Sequence, residues 1–119
     1  MFEFRKVSIL NGTHQRTVLA MDFQNPEMAI VSEFLMSDAS LLHTQILADI
    51  AAVQAGVSSM MEISGNRCAL QIKKDTILIT DLFEDMFDDA DTLAPYEIGT
   101  EELKRLIKIY LAEKAKIES

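Results

Sequence analysis

The residues able to do chemistry are few and scattered. Two histidines, His14 and His43, and one cysteine, Cys68, stand far apart in a chain of 119 residues. Neither histidine has a second histidine or an acid at a spacing that repeats a zinc motif, so each reads as a surface or core-edge side chain. A single cysteine makes neither an internal disulfide nor a thiolate metal site. Cys68 alternates with core positions, as a small buried hydrophobe does. No P-loop, G-x-G-x-x-G or G-x-S-x-G stretch is present. No set of nucleophile, base and orienting group can be assembled. The expectation is a protein without catalysis, cofactor or metal.

One constellation stands out. From Asp75 to Leu103 there are ten acids and no Lys or Arg. Within it runs Asp81-Leu82-Phe83-Glu84-Asp85-Met86-Phe87-Asp88-Asp89-Ala90-Asp91, in which apolar pairs interleave with acid pairs. An EF-hand calcium loop needs oxygens at its first, third and fifth positions, Gly at the sixth and Glu at the twelfth. Counted from Asp89, those later positions are Leu93, Ala94 and Thr100, and the pattern fails. Paired-carboxylate catalysis needs a cleft, and crowding in sequence does not make one. Three readings stay open: a solvated charged loop, an amphipathic turn burying its apolar side, or a protein-binding surface. The last is favoured, because acids around apolar anchors combine steering at a rim with burial at a centre. Phe83, Met86 and Phe87 are the candidate centre. Asp81, Glu84, Asp85, Asp88, Asp89 and Asp91 are the candidate rim.

The elements that must carry these residues follow from periodicity. Residues 2–10 and 13–23 read as a hairpin around Asn11-Gly12, a pair suited to the positive-φ positions of a type I′ turn. Pro26 closes the second strand region. Residues 28–35 fit a short strand or a helix start; a strand is expected. Ser37 or Asp38 can cap a helix over about 39–55, with Leu42, Ile46, Ile50 and Val53 on one stripe and Gly56 at its C′ position. Strands follow at 60–63, 67–73 and 76–80, with an edge strand at 95–98. Thr100 can cap a last helix over about 101–115, whose apolar face is Leu103, Leu106, Ile107, Tyr110 and Leu111. The expected fold is one α+β domain spanning 1–119: an antiparallel sheet of about five to six strands packed with two helices.

Composition bounds the partners. With 49% apolar and 25% charged residues the chain is an ordinary globule. No apolar run exceeds four residues, so no membrane span is expected. The start, Met1 to Lys6, has no apolar signal segment; with the lone cysteine this points to the cytoplasm. Nineteen acids against eleven bases give a net charge of −8. Such a surface repels a phosphate backbone and attracts a basic protein, including one that itself binds nucleic acid.

Glu62-Ile63-Ser64-Gly65-Asn66-Arg67-Cys68-Ala69-Leu70-Gln71-Ile72, then Asp75-Thr76, the acidic stretch, and Glu97-Ile98-Gly99-Thr100-Glu101-Glu102-Leu103-Lys104-Arg105-Leu106-Ile107 follow in that order. This arrangement resembles small acidic bacterial immunity proteins encoded beside polymorphic or contact-dependent growth-inhibition toxins, notably tRNA-nuclease toxins. The resemblance covers roughly residues 60–113 and departs at Tyr110, where the group carries a tryptophan. It implies a cytoplasmic antitoxin that binds a cognate, basic toxin domain and covers its substrate surface, touching neither nucleic acid nor membrane. The alternative from a different class is a small ligand- or metal-binding domain.

Overall fold

The computed structural model describes residues 2–83 and 92–118. β1 (Phe2–Asn11) and β2 (His14–Phe23) pair antiparallel from Phe2↔Phe23 to Asn11↔His14, forming a separate two-stranded sheet. Asn11 itself is in the ladder, so the loop is Gly12-Thr13. Among the described residues only Gly12 and Gly56 have positive φ, 66° and 78°. A positive φ at the first loop residue alone is the sign pattern of a type II′ turn, which replaces the expected type I′.

Residues 28–35 are not a strand. A single 3-10 turn at Pro26–Met28 leads into helix α1 (Ala29–Ser37). The Asn25 side chain accepts a hydrogen bond from the Glu27 N–H at 3.0 Å, and Pro26 sits where a missing N–H costs nothing. Ile30, Val31, Phe34 and Leu35 are all buried, a helical stripe of two adjacent pairs four residues apart. Helix α2 (Ala39–Gln54) follows after one residue, Asp38. It ends in a Schellman motif: Val57 N–H donates to Ala52 O at 3.0 Å and Gly56 N–H to Val53 O at 3.2 Å. Gly56 supplies the left-handed residue as expected. Neither expected N-cap acts as one, since Ser37 donates to Glu33 and the Asp38 carboxylate turns elsewhere.

The second sheet is an antiparallel meander of β3 (Met61–Ser64), β4 (Cys68–Ile72), β5 (Thr76–Asp81) and β6 (Tyr96–Gly99). Cys68, Leu70, Ile72, Ile77, Ile79 and Ile98 point inward and are buried against the three helices. Helix α3 (Thr100–Glu118) buries Leu103, Leu106, Ile107 and Tyr110, the expected face, with Leu111 half-buried. Thr100 is tied to the β4–β5 connection instead of capping: its hydroxyl donates to Lys73 O at 2.7 Å and its N–H to Asp75 O at 2.9 Å. The Tyr110 hydroxyl donates to Leu19 O at 2.8 Å, fastening the hairpin base to α3.

The fold is therefore α+β, with antiparallel sheet packed against helices. Among the described residues six strands divide into sheets of two and four, and three helices stand where two were expected. Leu106 is 2% exposed. Leu106→Ala is expected to cost about 2–4 kcal/mol through lost burial and a residual cavity. Thermal unfolding of the variant checks this, and an unchanged melting temperature would mean that α3 is undocked.

Candidate functional site

Inward alternation along β5 places Ile77, Ile79 and then Asp81 on the buried row, with Asp81 opposite Cys68. A carboxylate there must be matched on every oxygen. Arg67 supplies a fork: Nε donates to Oδ1 at 3.1 Å and Nη2 to Oδ2 at 2.9 Å. The Phe83 N–H donates to Oδ1 and the Leu93 N–H to Oδ2, each at 2.9 Å. Burial alone would push the Asp81 carboxyl up. The Leu93 and Phe83 N–H groups together with Arg67 outweigh that and hold it below the usual carboxylate range.

The consequence is geometric. One carboxylate holds the chain where it leaves the sheet at Phe83 and again where it returns at Leu93, so both ends of the acidic stretch rest on one fixed point. Leu82 N–H adds a bond to Arg67 O at 2.9 Å. The Arg67 guanidinium lies 4.7 Å from the Phe83 ring centre, a cation–π contact that orients the first candidate anchor.

Asp81 is thus no rim acid. It is 4% exposed and braces the base of the stretch, which corrects its expected role. Phe83 is half-buried beneath Arg67, and Leu82 beside it is exposed. Glu84, Asp85, Met86, Phe87, Asp88, Asp89 and Asp91 lie outside the described residues. Arg67, which falls at the start of the strand expected over 67–73, was not among the candidate site residues, yet it pairs with Asp81. The signal was present, because Asp81 falls on the inward period of Ile77 and Ile79.

A second carboxylate organises the adjoining turn. Asp38, in the one-residue gap between α1 and α2, is fully buried. Its Oδ1 accepts from Asn66 N–H at 2.7 Å and its Oδ2 from Cys68 N–H at 2.8 Å, while Arg67 N–H lies 3.2 Å from both. Three successive N–H groups make an anion-binding concavity, here filled by the chain's own carboxylate. A Cβ on Gly65 would sit 2.5 Å from Asp38 Cγ, so only glycine admits this approach. The Ser64-Gly65-Asn66-Arg67-Cys68 run is thus shaped around the Asp38 carboxylate. It aims the Arg67 side chain at Asp81.

Cys68 is fully buried. Burial first, then the negative charges of Asp38, Asp81 and Glu33, push its thiol up to about 12, leaving it protonated at neutral pH. His14 is exposed at the hairpin tip, while His43 Nδ1 donates to backbone oxygens of its own helix, Ser40 O at 3.0 Å and Ala39 O at 3.2 Å. Among the described residues no three His, Cys, Asp or Glu side chains group as a metal site. No helix is long and apolar enough to cross a membrane among these residues.

The depressed Asp81 value fixes an acid response. The pair contributes its full stability above the ordinary carboxylate value of about 4 and loses it as pH falls through the lower folded value. Arg67→Met is expected to weaken that dependence by returning Asp81 toward the ordinary value. Acid unfolding of wild type and variant, followed by circular dichroism, checks it; parallel curves would contradict the assignment.

Comparison with protein-family models, with curated proteins and with solved structures finds no match. The fold and site define an α+β domain in which one buried carboxylate, Asp81, holds the chain at both Phe83 and Leu93.

Proposed function

We propose that this chain is an immunity protein: a non-enzymatic, cytoplasmic antitoxin that binds a cognate toxin domain, a nuclease, and covers its basic substrate surface. The observation that carries the reading is the run of five acids between Phe83 and Leu93, inside a longer base-free stretch, with both flanking residues held by the Asp81 carboxylate that Arg67 pairs. A nuclease must present positive charge to phosphates. An inhibitor with concentrated negative charge meets that surface quickly and excludes the nucleic acid by occupying it. Charge supplies rate and selectivity, whereas affinity needs a desolvated centre. Phe83, Met86 and Phe87 are assigned to that centre; Glu84, Asp85, Asp88, Asp89 and Asp91 to the rim. Asp81 and Arg67 act as positioning residues. The sequence resemblance to growth-inhibition immunity proteins supports the same reading.

The test is co-expression with the product of the neighbouring gene, followed by pull-down and an RNA- or DNA-cleavage assay. The expected result is stoichiometric capture and loss of cleavage. A nuclease that stays fully active at saturating inhibitor overturns the proposal.

A further inference from the structure

The two outer edges of the hairpin sheet differ. Its tight loop makes Asn11 and His14 a hydrogen-bonded pair, and such pairs alternate with open ones along an antiparallel ladder. Phe4, Lys6, Ser8 and Leu10 on β1 therefore turn their N–H and C=O groups outward, as Gln15, Thr17, Leu19 and Met21 do on β2. The β2 edge is occupied: helix α1 packs along it, and the Tyr110 hydroxyl takes the outward Leu19 O. The β1 edge is bare. Among the described residues no helix packs along it, and no hydrogen bond reaches its outward backbone groups from Phe4 to Leu10. Two large apolar side chains also stand exposed there, Phe4 at 36% and Leu10 at 73%. An open edge of this length is a template for strand pairing, and a ribbon two strands wide is marginal in water by itself.

The order of residues along β1 selects a complement. When a strand pairs antiparallel with its own copy about a two-fold axis, one residue faces itself and sets the register. With Val7 at the axis, Phe4 faces Leu10 of the other copy and Lys6 faces Ser8, and all four are the residues whose backbone groups point outward. Glu3 then faces Asn11 and Arg5 faces Ile9, so no like charges stand directly opposite each other. The Arg5 charge is already matched inside the hairpin, where its Nε lies 2.7 Å from Asp22 Oδ2. An axis at Arg5 or at Lys6 would instead oppose two identical cations, and an axis at Ser8 would carry Phe4 past the end of the ladder. The Val7 register alone joins the two exposed apolar residues, and it does so twice.

We propose that β1 pairs antiparallel with β1 of a second copy of this chain about a two-fold axis at Val7, joining two hairpins into one four-stranded sheet. The outward backbone groups of Phe4, Lys6, Ser8 and Leu10 become ladder bonds, and Phe4 of each copy packs beside Leu10 of the other. Each hairpin tip comes to lie beside the anchored base of its neighbour. Both halves of the contact belong to one sequence, which is the condition for an isologous interface. This proposal does not depend on the inhibitor reading.

The test is sedimentation equilibrium of the full chain over about a hundredfold range of concentration, with a cross-link as the second readout. Wild type is expected to form dimers that dissociate on dilution. Ser8→Pro removes an outward N–H that the hairpin itself does not use, and Leu10→Glu sets a charge against Phe4. Each is expected to raise the dimer dissociation constant by more than about tenfold, with circular dichroism melts establishing that the variants fold. Facing residues at the axis form an open pair with Cα atoms about 4.5 Å apart, within reach of a disulfide. Val7→Cys is therefore expected to give a covalent dimer on mild oxidation, whereas Gln15→Cys, exposed on the far strand, is not; Cys68 is buried and does not compete. A monomeric wild type, a dimer indifferent to both Ser8→Pro and Leu10→Glu, or cross-linking at Gln15→Cys as complete as at Val7→Cys overturns the proposal. So does a chain that stays monomeric alone and uses β1 to capture the product of the neighbouring gene.

Discussion

Asp38→Ala is expected to destabilise the fold by about 3–5 kcal/mol, lowering the melting temperature by roughly 10–20 °C. The side chain is fully buried, and its removal leaves the N–H groups of Asn66, Arg67 and Cys68 without their acceptor. Asp38→Asn should recover only part of the loss, because an amide replaces one acceptor oxygen with a donor facing other donors. Gly65→Ala should also destabilise, since its Cβ would lie 2.5 Å from Asp38 Cγ. In the Asp38→Ala background the added methyl meets an emptied space. Its extra cost should fall, a non-additivity that marks direct contact. Urea or thermal unfolding of the two single variants and the double variant measures all three terms. Additive losses would mean that the turn and the carboxylate do not constrain each other.

The consequence reaches the site. Asp38 shapes the turn from which Arg67 extends, and Arg67 closes on Asp81 with a fork of 2.9 and 3.1 Å. The two buried acids thus lie in series between the α1–α2 junction and the acidic stretch.

Sequence patterns carried the long elements well and the short ones poorly. Helix α2 was legible because Leu42, Ile46, Ile50 and Val53 sustain one period over three turns and Gly56 ends it. Ile30-Val31 and Phe34-Leu35 fit a buried strand and a buried helix equally in so short a run. The deciding signal was Asn25-Pro26, a helix-start pair lying just before the run. The α+β class survived this error because the sheet needed no strand there. The acidic stretch was visible as charge, but charge does not show which acid is buried. Asp81 differs from its neighbours by standing on the β5 period, and its partners Arg67 and Leu93 are distant in sequence. Local chemistry offers Ser37 or Asp38 as a helix cap, and neither fills that role. The actual partners of Asp38 lie 28 to 30 residues away, a separation that no local pattern encodes.

The central claim is that the acidic stretch receives a basic toxin domain, and its most direct test is the rate of association. Asp85, Asp88 and Asp89 changed together to Lys reverse the local charge while leaving the Asp81–Arg67 base intact. Surface plasmon resonance against the cognate toxin at low and high salt should show an association rate lowered by more than about tenfold at low salt, with the gap closing as salt screens it. Melting should change little, because isolated surface charges contribute about 0–1 kcal/mol each. Phe83→Ala should instead raise the dissociation rate with little salt dependence. An association rate that the triple reversal leaves intact at both salt concentrations would contradict the account and put the toxin-binding surface elsewhere on the molecule.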